Sequence, residues 1–153
     1  MSSDRALAAL EGVPHTVLRH GHVSSLAEAA AARGVPVSAV VKSLVVRRGE
    51  DDYLFVLVPG GRKISWPKLR AELGVSRLSL PDREDAFART GYQPGTITPF
   101  GSTTAWPVLA DETLRGQEVT LGAGENGVVA KVLADDAVQA LDGRYADVTE
   151  PEA

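Results

Sequence analysis

The chain has 153 residues, of which 44% are hydrophobic, and a formal net charge of −4. This length and composition suit one globular domain and exclude a disordered chain. The absence of cysteine excludes disulfides, thiolate metal sites and a cysteine nucleophile. The first ten residues lack the apolar run of a signal peptide, and no segment approaches membrane-spanning length. We therefore expect a soluble cytoplasmic protein without membrane contact.

Helical and extended patterns alternate along the chain, separated by Gly and Pro residues. The patterns predict helices at residues 5–10, 25–33, 66–73, 81–89 and 135–141. They predict strands at residues 15–18, 40–46, 53–58, 106–110, 118–121 and 128–133. Short turns join several neighbouring strands, which a purely parallel sheet does not allow. We expect a single α/β (α+β) domain over residues 1–153, with a curved mixed sheet, flanking helices and a loose tail at 149–153.

The strand at residues 40–46 carries a lysine among apolar residues. Side chains alternate along a strand, so Val40, Lys42, Leu44 and Val46 share one face. If that face is buried, Lys42 needs a counter-charge, a ligand or a wet cleft, because an unpaired buried charge is costly. Alternatively, its ammonium group extends past the edge of the strand into water. The pattern alone leaves both readings open.

The segment at residues 90–101 is too rich in Gly and Pro for a regular element. Within it, Gly95 is followed four residues later by Pro99. Glycine permits close approach and unusual φ values, and proline stiffens the far end. Such a loop can present N–H groups to an anion or a developing oxyanion, or it can be purely structural. It is not a nucleotide-triphosphatase phosphate loop, since no Gly-Lys-Ser/Thr follows.

Two further features concern metals and charge. His20 and His22 flank Gly21, but the chain has only one other histidine, His15, and no further ligand set nearby, so we expect neither a metal nor a cofactor. Residues 42–77 hold eight basic residues against four acidic ones. This local basic patch could meet a phosphate backbone, or it could be an ordinary solvated surface.

Together these motifs resemble the YbaK/EbsC family, which includes the editing domain inserted in bacterial prolyl-tRNA synthetases. The resemblance runs from His22 to Val148. It rests on the lysine strand at 41–46, the loop at 90–101, the glycine-rich turn at 122–127 and the segment 142–148. Where some members have an aspartate and a tyrosine, this chain has Val129 and His20.

The resemblance implies a free-standing domain that hydrolyses the ester of a mischarged aminoacyl-tRNA in trans. It implies an active site made of Lys42 and the Gly-x-x-x-Pro loop between Gly95 and Pro99. A ribose hydroxyl of the substrate would help to activate water, and loop N–H groups would polarise the carbonyl. Lys42 would orient the adenosine end or stabilise charge near the ester. The leading substrates are Cys-tRNA(Pro) and Ala-tRNA(Pro), and no cofactor is implied.

The expected partners are the acceptor end of a mischarged tRNA and, as a recruiting protein, an aminoacyl-tRNA synthetase. The candidates for substrate binding are His20, His22, Thr90, Gly91, Tyr92, Thr96, Ile97, Thr98 and Gly101. The candidates for contact with tRNA phosphates are Arg47, Arg48, Arg62, Lys63 and Lys68. Two alternatives stay open: a non-catalytic module of the same fold that binds tRNA, a nucleotide or a synthetase, and a small-molecule hydrolase that needs no tRNA.

Overall fold

A computed structural model describes residues 2–152 of the chain. Within these residues the helices are α1 (Asp4–Ala9), α2 (Leu26–Arg33), α3 (Trp66–Leu73), α4 (Arg83–Thr90) and α5 (Ala134–Ala140). The strands are β1 (His15–Arg19), β2 (Lys42–Gly49), β3 (Asp52–Val58), β4 (Arg62–Ile64), β5 (Val108–Asp111), β6 (Glu118–Glu125), β7 (Val128–Leu133), β8 (Arg144–Ala146) and β9 (Thr149–Pro151).

The strands form three sheets. One has the order β1-β7-β6 and is antiparallel, and another pairs β4 with β9. The largest has the order β2-β3-β5-β8, in which β2 and β3 are antiparallel and the other pairs are parallel. The predicted α/β fold with a mixed sheet is confirmed, although the strands divide among three sheets. An isolated bridge joins Val40, which precedes β2, to Thr120 of β6, and this contact is too short to make one continuous sheet.

The helices begin and end at the residues that local chemistry favours. The Ser25 hydroxyl accepts a hydrogen bond from the Glu28 N–H at the start of α2, and Gly34 ends that helix. The Asp82 carboxylate accepts a hydrogen bond from the Asp85 N–H at the start of α4. These caps confirm the helix starts that the sequence predicts. The beginning of α4 lies next to the outer edge of β2, where the candidate site lies.

Strand β3 runs through the middle of the core and is buried on both faces. Phe55 and Leu57 belong to a cluster shared with β6 and β7, whereas Val56 and Val58 belong to a second cluster that contains Leu69 of α3. Burial on both faces explains why β3 reads as a continuous apolar run. Strand β2 pairs with β3 along one edge, and its other edge has only isolated bridges, at Val40 and at Arg47.

The C-terminal segment is ordered, contrary to the expectation of a loose tail. Residues 149–151 form β9, and Thr149 is fully buried. The Thr149 hydroxyl accepts a hydrogen bond from Arg62 Nε at 2.7 Å. Pairing with β4 satisfies the backbone of the segment and holds it against the core. Ala153, the last residue of the predicted tail, lies outside the described residues.

Three other differences concern short or glycine-rich strands. The three-residue strands β4 and β8 are absent from the prediction because so few residues carry no clear alternation. Strand β6 continues to Glu125 through most of the segment predicted as a turn, with a register shift between Gly122 and Glu125. Glycine inside a strand is typical of such an irregularity. None of the helices in residues 2–152 is long and apolar enough to cross a membrane.

Candidate active site

A cleft of about 420 Å³ lies along the outer edge of β2. One wall is the strand itself, residues 40–45, and another is the start of α4 with the residues before it, 80–83. The loop at 90–101 closes the third side with Pro94, Gly95 and Ile97. The fold therefore brings Lys42 and Gly95, which are far apart in the sequence, to the same cavity.

Lys42 lies where the cleft crosses the strand. Its side chain is 42% exposed, and its Nζ is 3.1 Å from Oε1 of Glu152. The same side chain borders a second cavity of about 540 Å³, which Trp66 and Glu150 help to line. Both readings open from the sequence hold in part: Lys42 has a counter-charge and lines a cleft, and its side chain is also nearly half exposed to water.

The loop faces the cleft through its main chain. Gly95 has a φ of 92°, and a Cβ built on it would meet no atom within 4 Å, so a ligand can approach its backbone closely. Within the described part of the chain, the N–H groups of Gly95 and Ile97 donate to no other residue, whereas the Thr96 N–H donates to the Gln93 carbonyl. Two main-chain donors beside the cleft are therefore free to bind an oxygen atom of a ligand.

Several predicted substrate-binding residues hold the loop together from inside. The buried Tyr92 hydroxyl donates to the Phe100 carbonyl at 2.7 Å, and burial raises the pKa of Tyr92. The Thr90 hydroxyl donates to the Ala86 carbonyl, and the Thr98 hydroxyl accepts from the Phe100 N–H. Thr96, Phe100 and Pro99, the last predicted as part of the active site, are also buried in the loop. These side chains shape the loop and do not line the cleft.

Arg5 of α1 holds the back of the loop. Its Nε donates to the Gly101 carbonyl at 2.9 Å, and its Nη2 donates to the Gly91 carbonyl at 3.2 Å. Its guanidinium also lies 4.7 Å from the centre of the Tyr92 ring, a cation–π contact. The predicted residues Gly91 and Gly101 thus contact Arg5 on the side of the loop away from the cleft. No signal in the sequence connects α1 with this loop.

The two predicted histidines lie elsewhere. His20 and His22 line a separate cavity of about 420 Å³ next to the turn at Asn126 and Gly127. The His20 N–H donates to the Gly127 carbonyl at 2.9 Å, which ties β1 to the β6–β7 turn. The structure does not bring either histidine to the Lys42 cleft. Among residues 2–152, no three His, Cys, Asp or Glu side chains come together as a metal-binding group.

Most of the predicted phosphate-binding residues already have partners. Arg48 pairs with Asp52, Lys63 with Glu150 and Lys68 with Asp147. Arg62 donates to the hydroxyl and the carbonyl of Thr149. Arg47 also has a partner, because its side chain hydrogen-bonds the Tyr53 hydroxyl near Asp85. Unlike the others, it also lies with Arg70 and Arg77 around a surface cleft of about 450 Å³.

Arg33 is a cleft residue that the sequence analysis missed. It is the last residue of α2, and its Nη1 donates to the Thr120 hydroxyl at 2.9 Å. Burial lowers the pKa of its guanidinium, and no carboxylate in the described residues pairs with it. Its position in the last turn of a helix looks ordinary in sequence, so only the packing of α2 against β6 reveals its place. Leu80, also missed, lines the cleft with 56% of its surface exposed.

The chain belongs to the family of aminoacyl-tRNA editing domains, whose model matches residues 20–140. This match covers the cleft, Lys42 and the loop. Aminoacyl-tRNA editing is therefore the class of function to which this fold and site belong, and the resemblance inferred from the sequence motifs is confirmed.

Several similar proteins are proline–tRNA ligases. The proline–tRNA ligase of Trichlorobacter lovleyi is 30% identical over 102 residues, which are 66% of this chain and 18% of the ligase. That of Thermosipho melanesiensis is 33% identical over 94 residues, which are 61% of this chain and 16% of the ligase. The chain thus spans less than a fifth of the length of these relatives.

Solved structures of similar length share the whole fold. A crystal structure described as that of a candidate trans-editing enzyme for prolyl-tRNA synthetase has a TM-score of 0.88 and 28% identity, and covers 97% of both chains. The hypothetical protein APE2540 has a TM-score of 0.87 at 23% identity, with 96% of this chain and 100% of that chain covered. The second likeness is one of fold alone.

Proposed function

We propose that this protein is an aminoacyl-tRNA deacylase that hydrolyses the ester of a mischarged tRNA in trans, in the cytoplasm. The observation that carries the proposal is the meeting of Lys42 and the Gly95 loop at one cleft. Family membership supports the reaction class, and the likeness to proline–tRNA ligases supports tRNA(Pro) as the carrier. Cysteine and alanine are the proposed residues to be removed.

The loop supplies the proposed oxyanion site. Water attacks the ester carbonyl, and the N–H groups of Gly95 and Ile97 stabilise the negative charge that develops on its oxygen. One well-placed donor of this kind contributes about 3–4 kcal/mol to transition-state stabilisation. A ribose hydroxyl of the terminal adenosine helps to activate the water, so the site needs no side-chain nucleophile. Collapse of the tetrahedral intermediate releases the amino acid and returns a proton to the ribose oxygen.

Lys42 is the proposed contact for the nucleotide end of the substrate. Its pair with Glu152 is half-exposed on both sides, and such surface pairs contribute little stability, about 0–1 kcal/mol. An incoming phosphate or ribose oxygen can therefore take over the ammonium group at small cost. This places positive charge at the cleft mouth, where the terminal nucleotide enters.

The ion pairs of Arg48, Lys63 and Lys68 shift the proposed tRNA contact toward the basic cleft that Arg47 borders. Together with Arg70 and Arg77, Arg47 surrounds a surface cleft with no acidic residue in its lining. Neutralising Arg70 and Arg77 together should weaken tRNA binding and flatten its salt dependence, because fewer counterions are released. The matched change Arg62→Gln, in a residue bound to Thr149, should leave the salt dependence unchanged.

The direct test is deacylation of tRNA(Pro) charged separately with cysteine, alanine, serine and proline. We expect release of one noncognate amino acid, with proline retained. Lys42→Ala should lose about ten- to a hundredfold, because a hydrogen bond from a charged group contributes about 1.5–3 kcal/mol. Lys63→Ala is the matched control, since Lys63 also forms an exposed ion pair with a glutamate near the C-terminus but lies outside the first cleft. Lys63→Ala should retain activity.

Two outcomes would contradict the proposal. Absence of release from every member of the panel would favour the non-catalytic binding module. Equal hydrolysis of aminoacyl-adenosine and of aminoacyl-tRNA would favour a small-molecule hydrolase, because the tRNA body would then contribute nothing.

A further inference from the structure

The outer edge of β2 has unpaired main-chain groups where it borders the cleft. The N–H of Phe55 points toward β5, and Phe55 lies opposite Val45 in the β2–β3 register. In an antiparallel pair, opposite residues point their N–H and C=O groups either both toward or both away from each other. Val45 therefore directs its main-chain groups away from β3. Because the direction alternates, Ser43 does the same.

The edge is paired at both ends of this stretch. The Val41 N–H donates to the Thr120 carbonyl at 3.0 Å, and Arg47 exchanges two hydrogen bonds with Ser79. Between these points, the N–H groups of Ser43 and Val45 donate to no atom of residues 2–152. Val41, Ser43 and Val45 all line the cleft. The wall of the cleft that β2 forms is thus a short strand edge with two free N–H and two free C=O groups.

The length of this edge limits what can bind there. A peptide that adds to a sheet edge pairs with a whole strand, typically about 5–6 residues. Here the contacts at Val41 and Arg47 close both ends, so an added strand would find only two residues to pair with. A small planar ligand with one donor next to one acceptor fits this edge better.

The walls of the cleft also suit a flat ring. Leu80, Pro81, Ala86 and Ile97 supply apolar surface around the polar strand edge. Leu80 is among the most exposed large apolar side chains of the described chain. Apolar walls with a few fixed polar groups are typical of small-molecule sites, and 420 Å³ lies within their usual range of about 300–1,000 Å³.

We infer that the edge of β2 binds the adenine base of the terminal nucleoside. The adenine amino group donates to the Ser43 carbonyl, and the Val45 N–H donates to adenine N1. This rests on the proposed function, which puts the ester of that nucleoside at the Gly95 loop, another side of the same cleft. The strand edge would then identify the base, while Lys42 and the loop act on the ribose and the ester.

The test uses nucleotide monophosphates and ¹⁵N-labelled protein. Adenosine 5′-monophosphate should shift the amide resonances of Ser43 and Val45. Inosine 5′-monophosphate has an acceptor where adenine has a donor and a donor where adenine has an acceptor, so it should bind at least about tenfold more weakly. The 7-deaza analogue of adenosine monophosphate keeps the reading edge of adenine and should bind like the parent. Equal affinity for the adenine and inosine nucleotides, or no binding, would overturn the inference.

A variant tests the same hydrogen bond from the protein side. Val45→Pro removes the N–H that donates to adenine N1. The β2–β3 hydrogen bonds stay intact, because that N–H points away from β3. In Val45→Pro, the preference for adenine over inosine monophosphate should fall to about one. A preference that survives in a variant whose thermal unfolding matches the wild type would contradict the assignment. If the variant does not fold, the analogue series still decides.

Failure of this inference can be told apart from failure of the proposed function. Deacylation that is as fast with a terminal inosine as with a terminal adenosine would reject adenine reading and leave the deacylase proposal intact. Adenine-selective binding at Ser43 and Val45, with no release from any charged tRNA, would reject the deacylase and leave the base site. Shifts of these amides by a short extended peptide and not by the nucleotide would assign the edge to strand addition and overturn the inference.

Discussion

At the scale of single residues, the site depends more on main-chain groups than on side chains. Gly95 and Ile97 offer free N–H groups, and Ser43 and Val45 offer a free strand edge. Lys42 is the charged side chain at the junction of two cavities. Such an arrangement suits an ester that is already activated, since positioning and oxyanion stabilisation supply most of what its hydrolysis needs.

Gly95→Ala tests the loop conformation. A Cβ at a φ of 92° is strained by about 1–2 kcal/mol, so alanine should shift the main chain that carries the loop N–H groups. We expect at least a tenfold loss of deacylation. Gly116→Ala is the matched control, because Gly116 has a φ of 76°, an equally open surrounding and no place in the cleft. Both variants should lose similar stability in urea unfolding, and only Gly95→Ala should lose activity. Equal activities would contradict the role of the loop.

At the scale of elements, the cleft is a junction of β2, α4 and the loop, and each is held by contacts behind it. Arg5 of α1 holds the loop, and Tyr53 of β3 holds α4 through a hydrogen bond to Asp85 at 2.5 Å. Arg89 adds a second hydrogen bond to Asp85. The geometry of the site is therefore set by elements that do not line it.

Arg5→Ala should loosen the loop without removing any group from the cleft. We expect kcat to fall several-fold with little change in substrate binding, because the N–H donors would no longer be held in position. Cleavage between residues 90 and 101 by a protease should become faster at the same time. Arg19→Ala, an exposed arginine on β1, is the control and should change neither measurement. Unchanged proteolysis in Arg5→Ala would show that the clamp is dispensable.

The contact between β3 and α4 should depend on pH. The hydrogen bond from Tyr53 lowers the pKa of Asp85 below its ordinary value of 3.8. A lowered folded-state pKa stabilises the protein above the ordinary value, and this stabilisation is lost as pH falls through the folded-state pKa. Tyr53→Phe should therefore cost about 1–2 kcal/mol in urea unfolding at pH 7, and much less at pH 2.5. An equal cost at both pH values would mean that the hydrogen bond to the charged carboxylate is not its source.

At the scale of the whole molecule, the C-terminal strand completes the site. β9 brings Glu152 to Lys42 and Glu150 to Lys63, so the last residues set the charge balance at the cleft mouth. Thr149 of the same strand accepts hydrogen bonds from Arg62 and Lys68, two of the residues predicted to contact tRNA phosphates.

Removal of residues 149–153 should destabilise the protein. The truncation removes the β4–β9 pairing and breaks the three side-chain hydrogen bonds to Thr149, of about 1 kcal/mol each. We expect the Tm to fall by about 5–10 °C. Truncation after Pro151 keeps β9 and removes Glu152, with its exposed ion pair to Lys42 and one main-chain hydrogen bond to Gly61, so its Tm should fall much less. An unchanged Tm in the longer truncation would restore the loose-tail interpretation.

The sequence by itself determined the order and type of most elements and the family. Local signals sufficed for these: Ser25 and Gly34 bound α2, the apolar run before Pro59 predicts β3, and the lysine strand and Gly-x-x-x-Pro loop carry the resemblance. Caps, alternation and glycine positions depend on neighbours in the chain, which the sequence shows directly.

Only the tertiary structure decided which residues meet. It shows that Lys42, Gly95 and Arg33 line one cleft, whereas His20 and His22 line another cavity. It also shows which main-chain groups of β2 stay unpaired, because pairing depends on whether another segment lies beside the strand. The physical reason is that burial and hydrogen-bond pairing arise between segments distant in the chain, and residue type alone does not specify those partners.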